Sequence, residues 1–163
     1  MGILQVVLTN GQVAIIDEAD APLIAGYSWR ELKMTSTRTT YAQANVPRHR
    51  PKKTVLMHRL IAGVTDRAVK VDHRDGNGLN NVRDNLRPAT HTQNARNARK
   101  HRDAKGSKFK GVIRRGRRWV AQICVNRNTL QVGTFDAELD AAAAYDNAAA
   151  EHHGVFARIN FPA

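Results

Sequence analysis

The stretch VDHRDGNGLNNVRDNLRPATHTQNARN, residues 71–97, decides how the rest of the chain is read. Val69, Val71 and Leu86 are apolar ends flanking a polar, Gly- and Asn-rich segment at 75–85, a pattern that predicts two short strands joined by a long hairpin loop. Thr-His-Thr-Gln at 90–93 is a capping box. The Thr90 hydroxyl accepts one orphan N–H and Gln93 reaches back, so a helix begins at Thr90. Asn94 falls in its first turns with the side chain leaning toward the helix start. Laid across the hairpin, such a helix would bring Asn94 beside Asp72.

The chemistry follows from residue type. Asp72 and Asn94 are hard oxygen donors of the kind Mg²⁺ takes, together with water and a phosphate oxygen. His73, with an ordinary pKa near ~6.5, can take a proton from an attacking water at neutral pH. Strand alternation would turn Asp72 and His73 to opposite faces, so the strand has to end at one of them. Asp-His in an Asn-rich loop is also ordinary turn chemistry; the identities and spacings taken together are what point to a site. They resemble the core of the HNH endonucleases at His73, at Asn85 ahead of Leu86, and at Asn94, with Asp72 supplying the carboxylate. The resemblance implies a ββα-metal hairpin and helix, with His73 as general base. Asp72 and Asn94 would be ligands of Mg²⁺ (or Mn²⁺), and Asn85 the amide that ties the loop together and orients His73. Asn94 stands where many family members have histidine, a change that favours Mg²⁺ or Mn²⁺ over zinc.

A length of 163 residues allows one domain or two small ones. The net charge of +12, from 26 Lys and Arg against 14 Asp and Glu, makes a polyanion the leading partner and an acidic membrane the lesser one. Cys124 is the single cysteine, which excludes a disulfide framework and a thiolate metal cluster. Neither a signal peptide nor an apolar run of membrane length is legible, so a reduced, cytoplasmic setting is expected.

Before the hairpin, ILQVVL and VAII flank Asn10-Gly11, the strongest short hairpin signal. DEADAPLIAGY, with acids first and Gly26 near its end, reads as a short helix. YSWRELKM and RTTYAQANV read as a second hairpin, with Trp29 and Tyr41 as core anchors ahead of base-stacking platforms. LMHRLIAGV, 56–64, reads as a short helix or strand-to-helix turn. For its His58 a packed, hydrogen-bonded place outweighs an approach to the metal or a phosphate. After the hairpin, Arg96, Arg99, Lys100, His101 and Arg102 form a basic run suited to phosphates.

From 109 onward the pattern changes. In RWVAQICV, Trp119, Ala121, Ile123 and Val125 suit a core, and Arg118, Val120, Gln122 and Cys124 an outer face. An Ala-rich segment follows Asp136, with Glu138 and Asp140 in its first turn, where acids favour the helix dipole. Bases gather on the strands (Lys108, Lys110, Arg114, Arg115, Arg117, Arg118, Arg127) and acids on the helix. FKGV, RRWVAQI, VGTFD, AAAAYDNAAA and RINF resemble the APETALA-two/ethylene-response-factor type of DNA-binding domain. That resemblance implies a three-stranded sheet placed in the major groove with a helix behind it. Lys110 stands where the family has a contacting arginine, as do Ile113, Cys124 and Thr129; Gln122 replaces a glutamate and Gln131 a tryptophan. The plant sequence preference therefore does not carry over, although the charge does.

The expectation is an α+β chain: a nuclease domain at 1–102 with a β-rich leader and its core about 69–100, a linker at 103–108, and a DNA-binding domain at 109–163. It would be a metal-dependent endonuclease acting on double-stranded DNA, of the phage homing type, with no membrane or obligatory protein partner. Contacts to DNA are expected from Arg96, Arg99, Lys100, Lys110, Arg114, Arg115, Arg118, Gln122 and Gln131. The alternative is a non-catalytic DNA-binding regulator that keeps the nuclease fold.

Overall fold

Gly11, at φ +82°, turns β1 (Ile3–Val7) back onto β2 (Val13–Asp17), with Leu8 N–H donating to Gln12 O and Gly11 N–H to Leu8 O. The helix expected at 17–27 is broken in two. A 3₁₀ turn at Glu18–Asp20 gives way to the single-turn helix α1 (Ala21–Ile24), and Gly26 follows at φ +80°. Pro22 is the reason: its ring would clash with the carbonyl four residues back and it offers no N–H, so it fits only where a helix starts. The second hairpin pairs β3 (Arg30–Lys33) with β4 (Thr40–Asn45), and a third strand, β5 (Thr54–Leu56), adds to β4 and runs into α2 (Met57–Ile61), the strand-to-helix turn that the sequence offers there.

In this computed structural model the chain is a mixed α+β protein of small antiparallel sheets and few helices, described at residues 2–35, 39–46, 48, 53–100 and 106–162. His101, Arg102 and the linker residues 103–105 lie outside the described residues. The chain divides into two units, Met1–Asn94 and Ala95–Ala163. No helix among the described residues is long and apolar enough to cross a membrane.

The first unit gathers Leu8, Ile16, Trp29, Met57, Ile61, Val71 and Leu86 into one core. Trp29 is buried and its indole N–H donates to Ile24 O at 3.1 Å. β6 (Lys70–His73) and β7 (Leu86–Ala89) form the hairpin around the 74–85 loop, and α3 (His91–Asn97) follows. The capping box is made in full: Thr90 N–H donates to Gln93 Oε1 at 2.8 Å and Gln93 N–H to Thr90 Oγ1 at 3.2 Å.

The leader and the hairpin loop are bound together. Ile15 N–H donates to Leu79 O at 2.9 Å and Asn81 N–H to Ile15 O at 2.7 Å. Arg83 grips Asp20 through Nε and Nη2 at 2.5–3.0 Å, while its backbone N–H donates to Asp17 Oδ2. Gly78 lets the loop reach β4, since a Cβ there would lie 2.3 Å from Thr40 O and 2.7 Å from the Tyr41 ring.

In the second unit β8 (Val112–Arg115), β9 (Arg118–Val125) and β10 (Asn128–Phe135) form an antiparallel meander against α4 (Glu138–His153). Ala141, Ala142, Tyr145, Ala148 and Ala149 recur at helical spacing and face Val112, Ala121 and Ile123, so small side chains bring the helix close. Gly111 shows how close: at φ +72°, any Cβ would sit 1.8 Å from the Tyr145 ring. The closing segment is pinned by Asp146, which accepts from the Asn160 and Phe161 backbone N–H groups, while Asn160 also bonds both backbone groups of Lys110. Val120 lies on the outer face, as alternation places it, and is nonetheless buried at 2% exposure, outside the helix–sheet core.

Candidate functional site

β6 ends at His73, which resolves the alternation problem: Asp72 belongs to the ladder and His73 to its last rung. Asp72 lies opposite Arg87 and His73 opposite Leu86. Gly76 N–H donates to His73 O at 2.9 Å as the chain turns into the loop.

The loop is closed by amides. Asn85 Oδ1 accepts from Asp75 N–H at 3.1 Å, and Asn85 Nδ2 donates to Asp75 Oδ1 at 3.0 Å and Asn80 O at 2.8 Å. Asp75 also accepts from the Asn77 N–H and from Asn80 Nδ2. Asn85 thus spans the base of the loop that follows His73, and its own backbone O accepts from Arg74 N–H at 2.9 Å.

His73 is 4% exposed, and a residue the sequence did not single out holds it. Asn81, fully buried, places Oδ1 3.2 Å from His73 Nε2 while its Nδ2 donates to Leu79 O and Met57 Sδ. With the amide nitrogen committed to acceptors, Oδ1 faces the ring, so Nε2 carries the proton and Nδ1 carries the lone pair. Burial lowers the His73 pKa against the opposing pull of that bond and of Asp75 and Asp72. Burial therefore disfavours the protonated imidazole.

His58, also buried, stands edge-on to His73 with ring centroids 5.0 Å apart and an interplanar angle of 76°; Tyr41 lies 5.0 Å from His58 and 5.8 Å from His73. The packed place expected for His58 is what it has, but its Nδ1 finds no hydrogen-bond partner among the described residues. Burial, then His73 and Arg59, push its pKa down to about 3. A histidine buried neutral binds its proton more readily unfolded, so its stabilising contribution is whole above ~6.5 and is lost as pH falls toward about 3. The unfolding free energy of the protein is expected to fall below pH ~6.5 with a slope approaching about 1.4 kcal/mol per pH unit from this one group. His58→Phe, which keeps the ring stack, should flatten that slope in a melting series; an unchanged slope would assign the acid sensitivity elsewhere.

Asp72 is buried and its partner is a guanidinium. Arg87 donates to Asp72 Oδ2 through Nε at 2.8 Å and Nη2 at 2.6 Å, with side-chain exposures of 8% and 6%. Asn94 is half-buried in α3, and its amide makes no hydrogen bond among the described residues. As donors, one carboxylate and one amide oxygen suit a hard divalent ion. Among the described residues no three His, Cys, Asp or Glu side chains cluster as a ready-made cage.

The residues expected on DNA separate into two sets. Strand register puts Arg115 opposite Arg118, Val120 opposite Ile113, and Gln131 opposite Gln122, all on the sheet face away from α4. Arg114 instead lies opposite Trp119 on the helix side of the sheet, its Cζ 5.5 Å from the indole centroid. Lys110 turns inward too: its ammonium donates to Arg96 O and Ala98 O at the C-terminal end of α3, and burial lowers its pKa to about 8. Lys100 donates to Phe109 O at 2.7 Å and Val112 O at 2.9 Å, and burial lowers its pKa as well. These two lysines tie residues 96–100 to β8 and the segment before it within the second unit, a use that positive charge in the sequence does not disclose. Arg96 is half-buried in the last turn of α3 and Arg99 is exposed beyond it. No protein-family model matches the chain.

Proposed function

We propose that the chain is a divalent-metal-dependent DNA endonuclease of the HNH kind, its ββα-metal core being the β6–β7 hairpin and α3, with the second unit supplying affinity for the duplex. The observation that carries this is His73 at the end of β6: buried, neutral, fixed by Asn81 in the tautomer with its lone pair on Nδ1, and adjacent to a buried carboxylate. His73 Nδ1 takes the proton of the attacking water. Asn81 keeps Nε2 protonated, and Asn85 fixes the loop that sets the ring. Asp72 and Asn94 would hold Mg²⁺ or Mn²⁺, which when bound polarises the scissile phosphate and stabilises the leaving 3′ oxygen. Hydrolysis of that kind leaves a 3′-hydroxyl and a 5′-phosphate, so plasmid nicked by the protein should be resealed by DNA ligase. Nicks that ligase cannot close would point to different chemistry.

A second reading, a DNA-binding regulator without catalysis, draws on the Asp72–Arg87 pair, which is what a carboxylate retained for structure would form. It leads to duplex binding with no cutting under any divalent ion.

Duplex binding is assigned to the sheet face away from α4, through Arg115 and Arg118 with Gln122 and Gln131 between the strands. Each phosphate neutralised releases counterions with a log–log slope of roughly −0.9. Arg115→Ala with Arg118→Ala should lower the salt slope by up to about two units. Lys110→Ala and Arg114→Ala should leave it in place, because their side chains are turned away from that face. If Lys110 changes the slope and Arg115 and Arg118 do not, the docking face is a different one.

A further inference from the structure

Asp72 and Arg87 are register partners, so both side chains leave the hairpin on one face, and both are almost fully withdrawn from water. The guanidinium thus already neutralises the carboxylate on which the nuclease reading depends. A divalent ion held by Asp72 and Asn94 would add two positive charges beside a fixed third, and that ligand pair supplies one carboxylate against them. An anion has to come with it. A phosphodiester is the anion that a planar guanidinium fork matches best, and in this reading it is also the substrate.

We propose that Arg87 is a phosphate-binding residue of this site, which holds Asp72 in the free protein and exchanges it for the DNA backbone, so that duplex and metal ion bind with positive coupling. The proposal rests on the nuclease reading and adds to it an order of events: the protein meets DNA before it takes up its ion. Coupling of this kind is reciprocal, each ligand tightening the other by the same factor, about 10–100-fold here. The pair also keeps the site from gathering a divalent ion, and with it hydrolytic power, away from a duplex.

The test is Mn²⁺ uptake, read as loss of the free-ion paramagnetic resonance signal, with duplex alone as the blank and the His73→Ala background to keep the DNA whole. With Arg87 present, little Mn²⁺ should bind until duplex is added, and then about 10–100-fold more tightly. Arg87→Met should bind Mn²⁺ without DNA, and duplex should add little. Should that variant not fold, the Arg87 Nε–H resonance of the metal-free protein gives a second reading: it should move when duplex is added, and an unmoved resonance overturns the exchange. Equal Mn²⁺ affinity with and without duplex, Arg87 being present, overturns the coupling and leaves the nuclease reading standing. No Mn²⁺ binding in any arm, duplex and Arg87→Met included, overturns both.

Discussion

His73→Ala is expected to slow nicking by about 10²–10⁴-fold while leaving duplex affinity where it was. The side chain is buried behind Asn81, His58 and Tyr41, at the end of a strand, so in the proposed mechanism it would act on the barrier through one proton and not through contact area. Removing it leaves a cavity beside two rings, and the variant should therefore be checked by circular dichroism before its rate is compared. Asn81→Ala should act in the same direction by a smaller factor, because the ring loses the acceptor that fixes its tautomer but keeps its place. A His73→Ala protein that nicks at the unaltered rate would remove His73 from the chemistry.

Asp72→Ala should do more than abolish metal-dependent cutting. It strands a buried guanidinium, and breaking a buried pair from one side destabilises by about 3–5 kcal/mol, a large part of the ~5–15 kcal/mol of a typical domain. Loss of activity in that variant therefore does not by itself identify a metal ligand. Asp72→Leu combined with Arg87→Met replaces both charges with apolar groups of similar bulk and should recover much of the stability without recovering activity. Urea unfolding of the three proteins decides it. An Asp72→Ala midpoint equal to that of the unaltered chain would mean that the pair is solvated.

What the sequence disclosed was local. The Thr90–Gln93 capping box, the Asn10-Gly11 turn, and the alternation in 118–125 depend on neighbours within a few residues, and each is present in the structure. What it concealed depends on register or on distant partners. A loop of a dozen residues between β6 and β7 leaves the pairing unreadable, so nothing in the chain placed Arg87 on Asp72. Asn81 looked like one more amide in a turn-rich loop until Met57 and Leu79 fixed its orientation. Lys100 and Lys110 read as phosphate ligands because charge is visible in a sequence, whereas the carbonyls they cap are not. The stack of Arg114 on Trp119, its cross-strand partner, is hidden for a related reason: it depends on strand register. The break in the 17–27 segment is legible in the sequence as Pro22, which fits only the first turn of a helix, whatever the acids ahead of it and Gly26 behind it suggest.

The β6–β7 hairpin is proposed to cut DNA with His73 as its base. The most direct measurement is conversion of supercoiled plasmid to open circle by the unaltered protein in Mg²⁺, run beside EDTA and beside folded His73→Ala at the same concentration. Open circle should accumulate with Mg²⁺ alone, vanish with EDTA, and form at least about a hundredfold more slowly with the variant. Plasmid that stays supercoiled in Mg²⁺ and in Mn²⁺, at protein concentrations that saturate binding, would contradict it and leave a DNA-binding protein that does not cut.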